Sequence, residues 1–389
     1  MIILEEPYVS GFLLEYMSKN DIPVLKNDYA ISNNRGLNLN YIGTKEAVDR
    51  YNKGELVYTV SEHSLDWIYN NLPGSKLVEK IGICKDKARF RTLISELYPD
   101  FYFKEITFEQ LNNLDYADIP YPVIIKPSVG FHSMGVYALF NQNDFRNALS
   151  DLTSITKKRM DLFPESVVGA KFLLEQYIQG EEFAIDAYFD TKGTPVILNI
   201  LKHRFSSESD VHDRIYYTTT EIISHYLNPF TEFLARINSK LNIMDFPVHI
   251  EARVSGDDIV PIEFNPLRFA GACCTDLSYY AYGINTVDCY LNRIKPDFDN
   301  IRRKNSDKIY SLILVDKNGK DIDNRKFDYN RLYNDFEHIL SLRKFDNPAM
   351  GLFAVIFTET SVGNEAELDK ALVADYSDYI SNEDNVCKS

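Results

Sequence analysis

The chain has 389 residues, and its 42 lysines and arginines against 57 aspartates and glutamates give a formal net charge of −15 at pH 7. That length predicts about two or three domains, and a composition with 45% hydrophobic and 25% charged residues excludes a mostly disordered chain. The acidity argues against binding nucleic acid through an overall basic surface and against docking on an anionic membrane.

The first part of the chain has the pattern of a small α/β unit. An apolar run at residues 1–4, a helical stretch at 12–17 and a second strand at 22–25 follow one another. We therefore expect an N-terminal α/β domain over residues 1–80. Helical spacing of apolar residues then predicts a helix over 86–98.

A strand-rich region follows. Its predicted strands lie at 122–126, 136–140, 171–178, 183–189, 195–201, 247–254 and 259–264, with a helix at 230–241 before the last two. We expect this second domain to cover residues 81–300, with a smaller subdomain at about 119–180. Residues 301–389 form a last α/β segment, which we expect to act as a lid or a dimerisation element.

Cysteine usage and the N-terminus bear on location. Five cysteines, with no CxxC pair, fit neither a disulfide framework nor a zinc site and suit a reducing compartment. The start MIILEEPYVSG lacks the basic residues of a signal peptide, and no run of about 20 apolar residues appears. We therefore expect a cytoplasmic protein without a membrane-spanning segment.

The hairpin PVHIEARV–SGDD–IVPIEF carries a candidate metal site. Side chains alternate along a strand, so folding about SGDD places Glu251 roughly opposite Glu263, and Asn265 shares the face of Glu263 if the strand continues to it. Facing carboxylates destabilise a sheet unless a cation lies between them, and this oxygen-rich set suits Mg²⁺. The alternative is that both glutamates face solvent or pair with Arg253 and Arg268.

Two further motifs are less specific. In PVIIKPSVGFHSMGV a strand ends at Lys126 and enters a glycine-containing loop whose backbone could approach phosphates; an ordinary hairpin is the alternative. This is neither a Walker loop nor a protein-kinase arrangement, in which the glycine loop precedes the lysine. The segment EQYIQGEEF at 175–183 could offer backbone groups to a purine and a carboxylate to a ribose, or form an exposed acidic turn.

In their order along the chain, these motifs resemble the ATP-grasp superfamily, which includes D-alanine–D-alanine ligase, biotin carboxylase and the L-amino-acid ligases. The resemblance covers about residues 80–290 and depends mainly on IKPSVGFHSMGV, EQYIQGEEF and HIEARV followed by IEFNP. It implies an α/β fold in which the nucleotide lies between two α+β subdomains, preceded by a small α/β N-terminal domain.

The resemblance also implies a role for individual residues. Lys87 and Lys126 match the two nucleotide lysines, and Glu182 matches the ribose carboxylate. Glu251, Glu263 and Asn265 match the magnesium ligands, the set reached from the hairpin pattern. The flap over the phosphates corresponds to residues 128–135, with Ser128, Gly130, Ser133, Met134 and Gly135, and the adenine hinge to Glu175, Gln176, Tyr177 and Ile178.

The arginine after the metal strand departs from the family pattern. The family often has ENPR, whereas here Leu267 separates Asn265-Pro266 from Arg268. Arg268 could still reach a phosphate or an acyl intermediate, or that role could belong to Arg204 or Arg214 in the polar stretch HRFSSESDVHDR. The alternative for that stretch, which also holds His203 and His212, is a solvated loop.

The function implied by the resemblance is ATP-dependent ligation. A carboxylate attacks the γ-phosphorus of ATP, giving an acyl phosphate and ADP, and an amine or a thiol then displaces phosphate. The expected cofactors are ATP with Mg²⁺ or Mn²⁺, and the expected partners are a small carboxylate, a small amine and a second copy of the chain, with no nucleic acid and no membrane. Two alternatives are a phosphotransferase that uses the same nucleotide site and a nucleotide-binding regulatory protein without turnover.

Overall fold

The computed structural model describes residues 1–128, 136–162, 171–206, 213–302, 307–320, 322–345 and 351–380.

Parallel strands build the N-terminal sheet. The sheet has the order β3-β2-β1-β4, with β1 (Ile2–Ile3), β2 (Pro23–Leu25), β3 (Asn40–Ile42) and β4 (Tyr58–Thr59). Parallel neighbours need crossover connections, which the intervening helices supply. These helices are α1 (Gly11–Lys19), α2 (Asp28–Ser32) and α3 (Thr44–Asn52).

Three helices connect this unit to the next sheet. They are α4 (Leu65–Asn71), α5 (Lys76–Lys85) and α6 (Lys87–Ile94), and α6 confirms most of the helix predicted over 86–98. Asp86 ends α5 and begins α6, because its carboxylate accepts hydrogen bonds from the backbone N–H groups of Ala88 and Arg89. Lys87 is thereby the first residue of α6.

The second sheet is small and antiparallel. Its order is β5-β8-β6-β7, with β5 (Phe103–Thr107), β6 (Val123–Pro127), β7 (Tyr137–Leu139) and β8 (Lys171–Gln176). The helices α7 (Phe108–Asn112) and α8 (Gln142–Leu162) accompany it, and Leu111 and Phe145 from these helices belong to its own apolar cluster. This cluster is separate from the main core, so the sheet forms a distinct packing unit.

The third sheet has eight strands in the order β13-β12-β9-β10-β11-β14-β16-β15. Its first five members in the chain are β9 (Glu181–Phe189), β10 (Pro195–Arg204), β11 (Ile215–Thr218), β12 (Phe246–Ser255) and β13 (Asp258–Pro266). The long helix α9 (Thr220–Leu241) contains the predicted segment 230–241, and its buried residues Phe230, Phe233, Leu234, Ile237 and Leu241 lie at helical spacing. The predicted hairpin is present as β12 and β13, which pair with each other.

The C-terminal strands continue this same sheet. They are β14 (Lys308–Asp316), β15 (Ile339–Lys344) and β16 (Leu352–Ser361), and β14 pairs with β11 so that Ile313 lies opposite Ile215. The predicted boundary near residue 300 therefore does not separate two sheets. The remaining helices are α10 (Leu277–Tyr282), α11 (Thr286–Leu291), α12 (Phe298–Arg302), α13 (Tyr329–Tyr333) and α14 (Ala366–Val373).

Among the described helices, none combines the length and the apolar character that crossing a bilayer requires.

Candidate nucleotide and metal site

The two hairpin glutamates face each other across β12 and β13. Glu251 and Glu263 are direct partners in the strand register, and the next same-face pair joins His249 and Asn265. Burial raises the pKa of Glu251 well above its usual range, with further increases from the negative charges of Glu263, Asp213 and Glu182. This excess of negative charge, next to an amide side chain, is the chemistry that a hard divalent cation satisfies.

Lys87 connects α6 to this acidic pair. Its ammonium lies 3.0 Å from a carboxylate oxygen of Glu263. Burial would raise the pKa of Glu263, but the positive charge of Lys87 lowers it below its usual value, so the two glutamates differ in their proton affinity. The backbone N–H of Lys87 also donates to the carbonyl of Ser128 at 3.0 Å, which joins the start of α6 to the first residue of the predicted flap.

The flap itself is described only at its first residue. Ser128 is buried, and its hydroxyl has no hydrogen-bond partner among the described residues. Its backbone N–H donates to the carbonyl of Lys171 at 2.9 Å. The other predicted flap residues, Gly130, Ser133, Met134 and Gly135, lie outside the described residues, as does His212.

Lys126 and Glu175 form part of a buried ion-pair triad. The ammonium of Lys126 lies 2.5 Å from Oε1 of Glu175, and Nε of Arg91 lies 2.7 Å from Oε2 of the same carboxylate. All three side chains are at most 7% exposed. The carboxylate of Glu175 therefore belongs to this triad, and Arg91 is a member that the sequence patterns did not indicate.

The triad has a measurable acid dependence. Burial alone would raise the pKa of Glu175, but Arg91 and Lys126 lower it from the ordinary 4.5 to about 2. A lowered pKa stabilises the fold above pH 4.5, and that contribution is lost as the pH falls toward 2. We expect Glu175→Gln to lower the free energy of unfolding at pH 7 by on the order of 3 kcal/mol. Urea unfolding between pH 7 and pH 3.5 should show the difference in free energy of unfolding between the wild type and this variant becoming smaller as the pH falls, with the exposed Glu232→Gln as control. A difference independent of pH would contradict the assignment.

The backbone of the predicted adenine hinge is largely bonded to its surroundings. The N–H of Gln176 donates to the carbonyl of Tyr102 at 2.8 Å, and the N–H of Tyr177 donates to that of Pro122 at 3.0 Å. The carbonyl of Ile178 accepts a hydrogen bond from the guanidinium of Arg253 at 2.7 Å. These three backbone groups are therefore already hydrogen-bonded within the protein, where they position the hinge segment.

Gly180 lets the hinge cross β12 closely. Its φ is +110°, and a Cβ at this position would lie 2.1 Å from the carbonyl oxygen of Val254. No side chain fits there, so the turn QGE requires glycine. This close approach brings the start of β9 directly against β12.

Glu182 lies at the start of β9, next to the hinge. Its carboxylate accepts a hydrogen bond from Nε of Arg253 at 3.0 Å and lies 3.5 Å from Nδ1 of His203. Burial works against ionisation, but His203 and Arg253 together lower the pKa of Glu182, so it carries a charge near neutral pH. Asp213 also joins this group, since ligand atoms of Glu182, His203 and Asp213 all lie within 4.8 Å of one another.

The extra residue before Arg268 is accommodated by a left-handed turn. Leu267 has a φ of +60° and is 1% exposed. Its carbonyl accepts hydrogen bonds from both the N–H and the hydroxyl of Thr59, at 2.9 and 3.2 Å. The turn leaves Arg268 paired with Glu62 of the N-terminal unit at 3.1 Å, and Lys85 lies 2.5 Å from the other oxygen of Glu62.

Arg204 and Arg214 are bound to the C-terminal segment. Arg204, at the end of β10, pairs with Asp369 of α14. Arg214 donates to the carboxylate of Asp316 at 3.0 Å and to the carbonyls of Leu372 and Ala374 at 2.9 and 2.8 Å. In these contacts the two arginines connect the sheet to the C-terminal segment, and a role of either one toward substrate stays a prediction. Burial and the neighbouring carboxylates raise the pKa of Glu251, and the positive charge of Arg268 offsets part of that rise.

Substitution separates these roles. We expect Arg214→Met to lower the free energy of unfolding by about 2–3 kcal/mol, because several hydrogen bonds to a charged group are lost. Its affinity for nucleotide should stay within twofold of the wild type. Arg268→Met should show the reverse pattern, with a smaller loss of stability, because Lys85 still pairs with Glu62, and clearly weaker binding of a non-hydrolysable ATP analogue. Urea unfolding measures the stability and calorimetric titration the affinity, and equal changes in both quantities for the two variants would contradict this division of roles.

Several solved structures are similar to this chain in fold. The L-amino acid ligase from Bacillus licheniformis matches with a TM-score of 0.70 at 16% identity, over 98% of this chain and 97% of that one. The carboxyaminoimidazole ribonucleotide synthase from Aspergillus clavatus, complexed with ATP, matches with a TM-score of 0.64 at 15% identity over 98% of both chains. At these identities the likeness establishes the fold.

A third similar structure holds magnesium and nucleotide. It is the biotin carboxylase domain dimer of 2-oxoglutarate carboxylase from Hydrogenobacter thermophilus, in complex with MgADP, ADP and bicarbonate. Its TM-score is 0.58 at 10% identity, over 92% of this chain and 86% of that one. A search of curated proteins by sequence finds no match.

The family match identifies the central region. Residues 119–276 match the family model described as the ATP-grasp domain. The chain therefore carries an ATP-grasp domain and has the ATP-grasp fold, as the order of its motifs predicts.

Proposed function

We propose that the protein is an ATP-dependent ligase that activates a small carboxylate as an acyl phosphate and transfers the acyl group to an amine. The observation that carries the proposal is the convergence of Glu251, Glu263 and Asn265 on one face of the hairpin, with Lys87 bound to Glu263. Carboxylates that can bind a cation and a positively charged side chain that can bind phosphates then lie in a single site within an ATP-grasp domain.

The charges in the site fit a nucleoside triphosphate with a divalent cation. Glu251, Glu263 and Asn265 would hold Mg²⁺ or Mn²⁺, which would neutralise phosphate charge and orient the γ-phosphoryl group. Lys87 and Arg268 would contact phosphate oxygens, since a phosphate could share or replace the carboxylates of Glu263 and Glu62 with which they pair. Lys126, held by Glu175, would add a buried positive charge beside the nucleotide.

Two chemical steps follow from this arrangement. A carboxylate oxygen attacks the γ-phosphorus, the bond to the β,γ-bridging oxygen breaks, and ADP leaves with that electron pair. An amine nitrogen then attacks the acyl carbon, the bond to the phosphate oxygen breaks, and phosphate leaves while the amine loses a proton. The contribution of the protein is mainly positioning and charge stabilisation.

The experiment that tests the proposal is a screen for ADP release. Purified protein with ATP and Mg²⁺ is given pools of carboxylates and amines, alone and together. The proposal expects ADP release that requires both pools, and a product in which the two are joined by an amide bond. ADP release with a stable phosphorylated product would instead identify a phosphotransferase, and nucleotide binding without release would identify a regulatory protein. The cytoplasmic location and the homodimer remain predictions of the sequence.

A further inference from the structure

His203 is a buried histidine whose ring makes no hydrogen bond. Its side chain is 0% exposed, and neither ring nitrogen has a hydrogen-bond partner among the described residues. The ring contacts two aromatic side chains: it stacks on Tyr216 with ring centroids 4.3 Å apart, and its centroid lies 3.8 Å from that of Phe205. A buried polar group without a partner costs free energy, and an apolar side chain would pack here at less cost. The imidazole therefore needs an explanation beyond packing.

The strand register brings His203 to Glu182. β10 runs antiparallel to both of its neighbours, and His203 lies opposite Tyr216 on β11. On the other side of β10, Lys202 pairs with Phe183, so the next position places His203 beside Glu182 on β9. Nδ1 of His203 lies 3.5 Å from Oε1 of Glu182. The sheet itself therefore places the imidazole beside this carboxylate.

A second carboxylate completes the group. Asp213 lies two residues before β11 and is exposed to solvent. Ligand atoms of Glu182, His203 and Asp213, one from each, all lie within 4.8 Å of one another. In a tetrahedral site with bonds of about 2.0–2.1 Å the ligand atoms are about 3.3 Å apart, so small side-chain rotations would close this group around an ion. The exposed side of Asp213 gives such an ion an entry path from solvent.

The other contacts of the two carboxylates leave them beside the imidazole. Arg253 donates to Oε2 of Glu182 at 3.0 Å, and the other oxygen, Oε1, is the one that lies near His203. The hydroxyl of Tyr216 donates to Oδ1 of Asp213 at 2.7 Å, so the ring that stacks on His203 also holds this carboxylate. Two carboxylates and one guanidinium leave a net negative charge, which a bound cation neutralises.

We propose that Glu182, His203 and Asp213 form a binding site for a divalent transition-metal ion of the zinc class, occupied while no nucleotide is bound. An imidazole nitrogen together with carboxylate oxygens suits zinc and cobalt, whereas the all-oxygen set of the β12–β13 hairpin suits magnesium. The three protein ligands leave a fourth position for water. Because the family resemblance matches Glu182 to the ribose carboxylate, the ion and a nucleotide would share this ligand. The proposal does not depend on the ligase function.

Cobalt binding tests the site directly, because the visible absorption bands of Co²⁺ change with its ligands. The full chain is titrated without nucleotide and without Mg²⁺, as the Glu263→Gln variant, in which the hairpin set has lost a carboxylate. A single Co²⁺ should bind, and Zn²⁺ should displace it. His203→Gln and Asp213→Asn, each added to this variant, should weaken Co²⁺ binding about tenfold or more, since even the loss of residues that only orient metal ligands typically costs about 10–100-fold.

Matched controls make the outcomes distinct. His225→Gln changes an exposed histidine on α9, and Asp257→Asn changes an exposed aspartate in the turn of the hairpin. Both should bind Co²⁺ with the affinity of the Glu263→Gln parent. A parent that binds no Co²⁺, or an affinity that His203→Gln leaves unchanged, would overturn the site. Thermal unfolding without metal checks that each variant folds, and if His203→Gln does not fold, the exposed Asp213→Asn decides alone.

Discussion

Glu263→Gln should keep its fold and lose magnesium-dependent nucleotide binding. The change removes one of two facing carboxylates and the partner of Lys87, so the cation loses a charged ligand. The side chain is 23% exposed, which limits the cost to stability. A wild-type protein with analogue and Mg²⁺ at 100 times the dissociation constant should gain about 2.7 kcal/mol in free energy of unfolding, and the variant should gain almost none.

Thermal unfolding with and without Mg²⁺ and a non-hydrolysable ATP analogue measures this difference. Glu359→Gln is a matched control, because Glu359 lies in the same sheet, is 24% exposed and pairs with Lys308 at 3.2 Å. The control should respond to nucleotide like the wild type. An undiminished shift in Glu263→Gln would remove Glu263 from the metal site.

Arg343→Met should be strongly destabilising. Arg343 on β15 donates to the carboxylate of Asp276 at 2.6 Å and to the carbonyls of Ala272 and Cys273 at 3.2 and 2.8 Å. Both charged side chains are almost completely buried, at 5% and 6% exposed. Removing one partner leaves a buried unpaired charge, which typically costs 3–5 kcal/mol, so the loss in urea unfolding should be about that large.

Arg343 also connects the C-terminal segment to the turn at Ala272 and Cys273. Ala272 and Cys273 have φ values of 51° and 56°, so Arg343 braces a left-handed turn soon after the metal strand. Arg325→Met is the matched control, because its ion pair with Asp323 is exposed and should contribute below about 1 kcal/mol. The double variant Arg343→Met with Asp276→Leu should recover part of the lost stability. Equal effects of the two single arginine variants would contradict this role.

The hairpin could be predicted from the sequence because its information is local. Alternation of period two and the short turn predict Glu251 and Glu263 close to each other on neighbouring strands, and their pairing is confirmed; the register shift between Glu251 and Ala252 that brings them directly opposite is not predicted by the pattern. The helical face of residues 230–241 is likewise a local pattern, and all five predicted residues are buried. The order of the motifs then predicted an ATP-grasp domain, which the match over residues 119–276 confirms.

The partners of these residues could not be predicted in the same way. Arg91 binds a carboxylate 84 residues away, and Arg268 binds Glu62 at a separation of 206 residues. No periodicity relates such positions, since only the packing of separate units brings them together. The same limit applies to Arg204 and Arg214: both lie in a polar stretch, and the sequence did not indicate their contacts with a segment more than 100 residues later.

The most direct test of acyl phosphate formation is oxygen transfer. Carboxylates labelled with ¹⁸O are incubated with the protein, ATP, Mg²⁺ and a pool of amines, and the released phosphate is analysed by mass spectrometry. If a carboxylate oxygen attacks the γ-phosphorus, that oxygen leaves with phosphate when the amine displaces it, so the phosphate carries one ¹⁸O. Phosphate that contains no oxygen from the carboxylate would contradict the account.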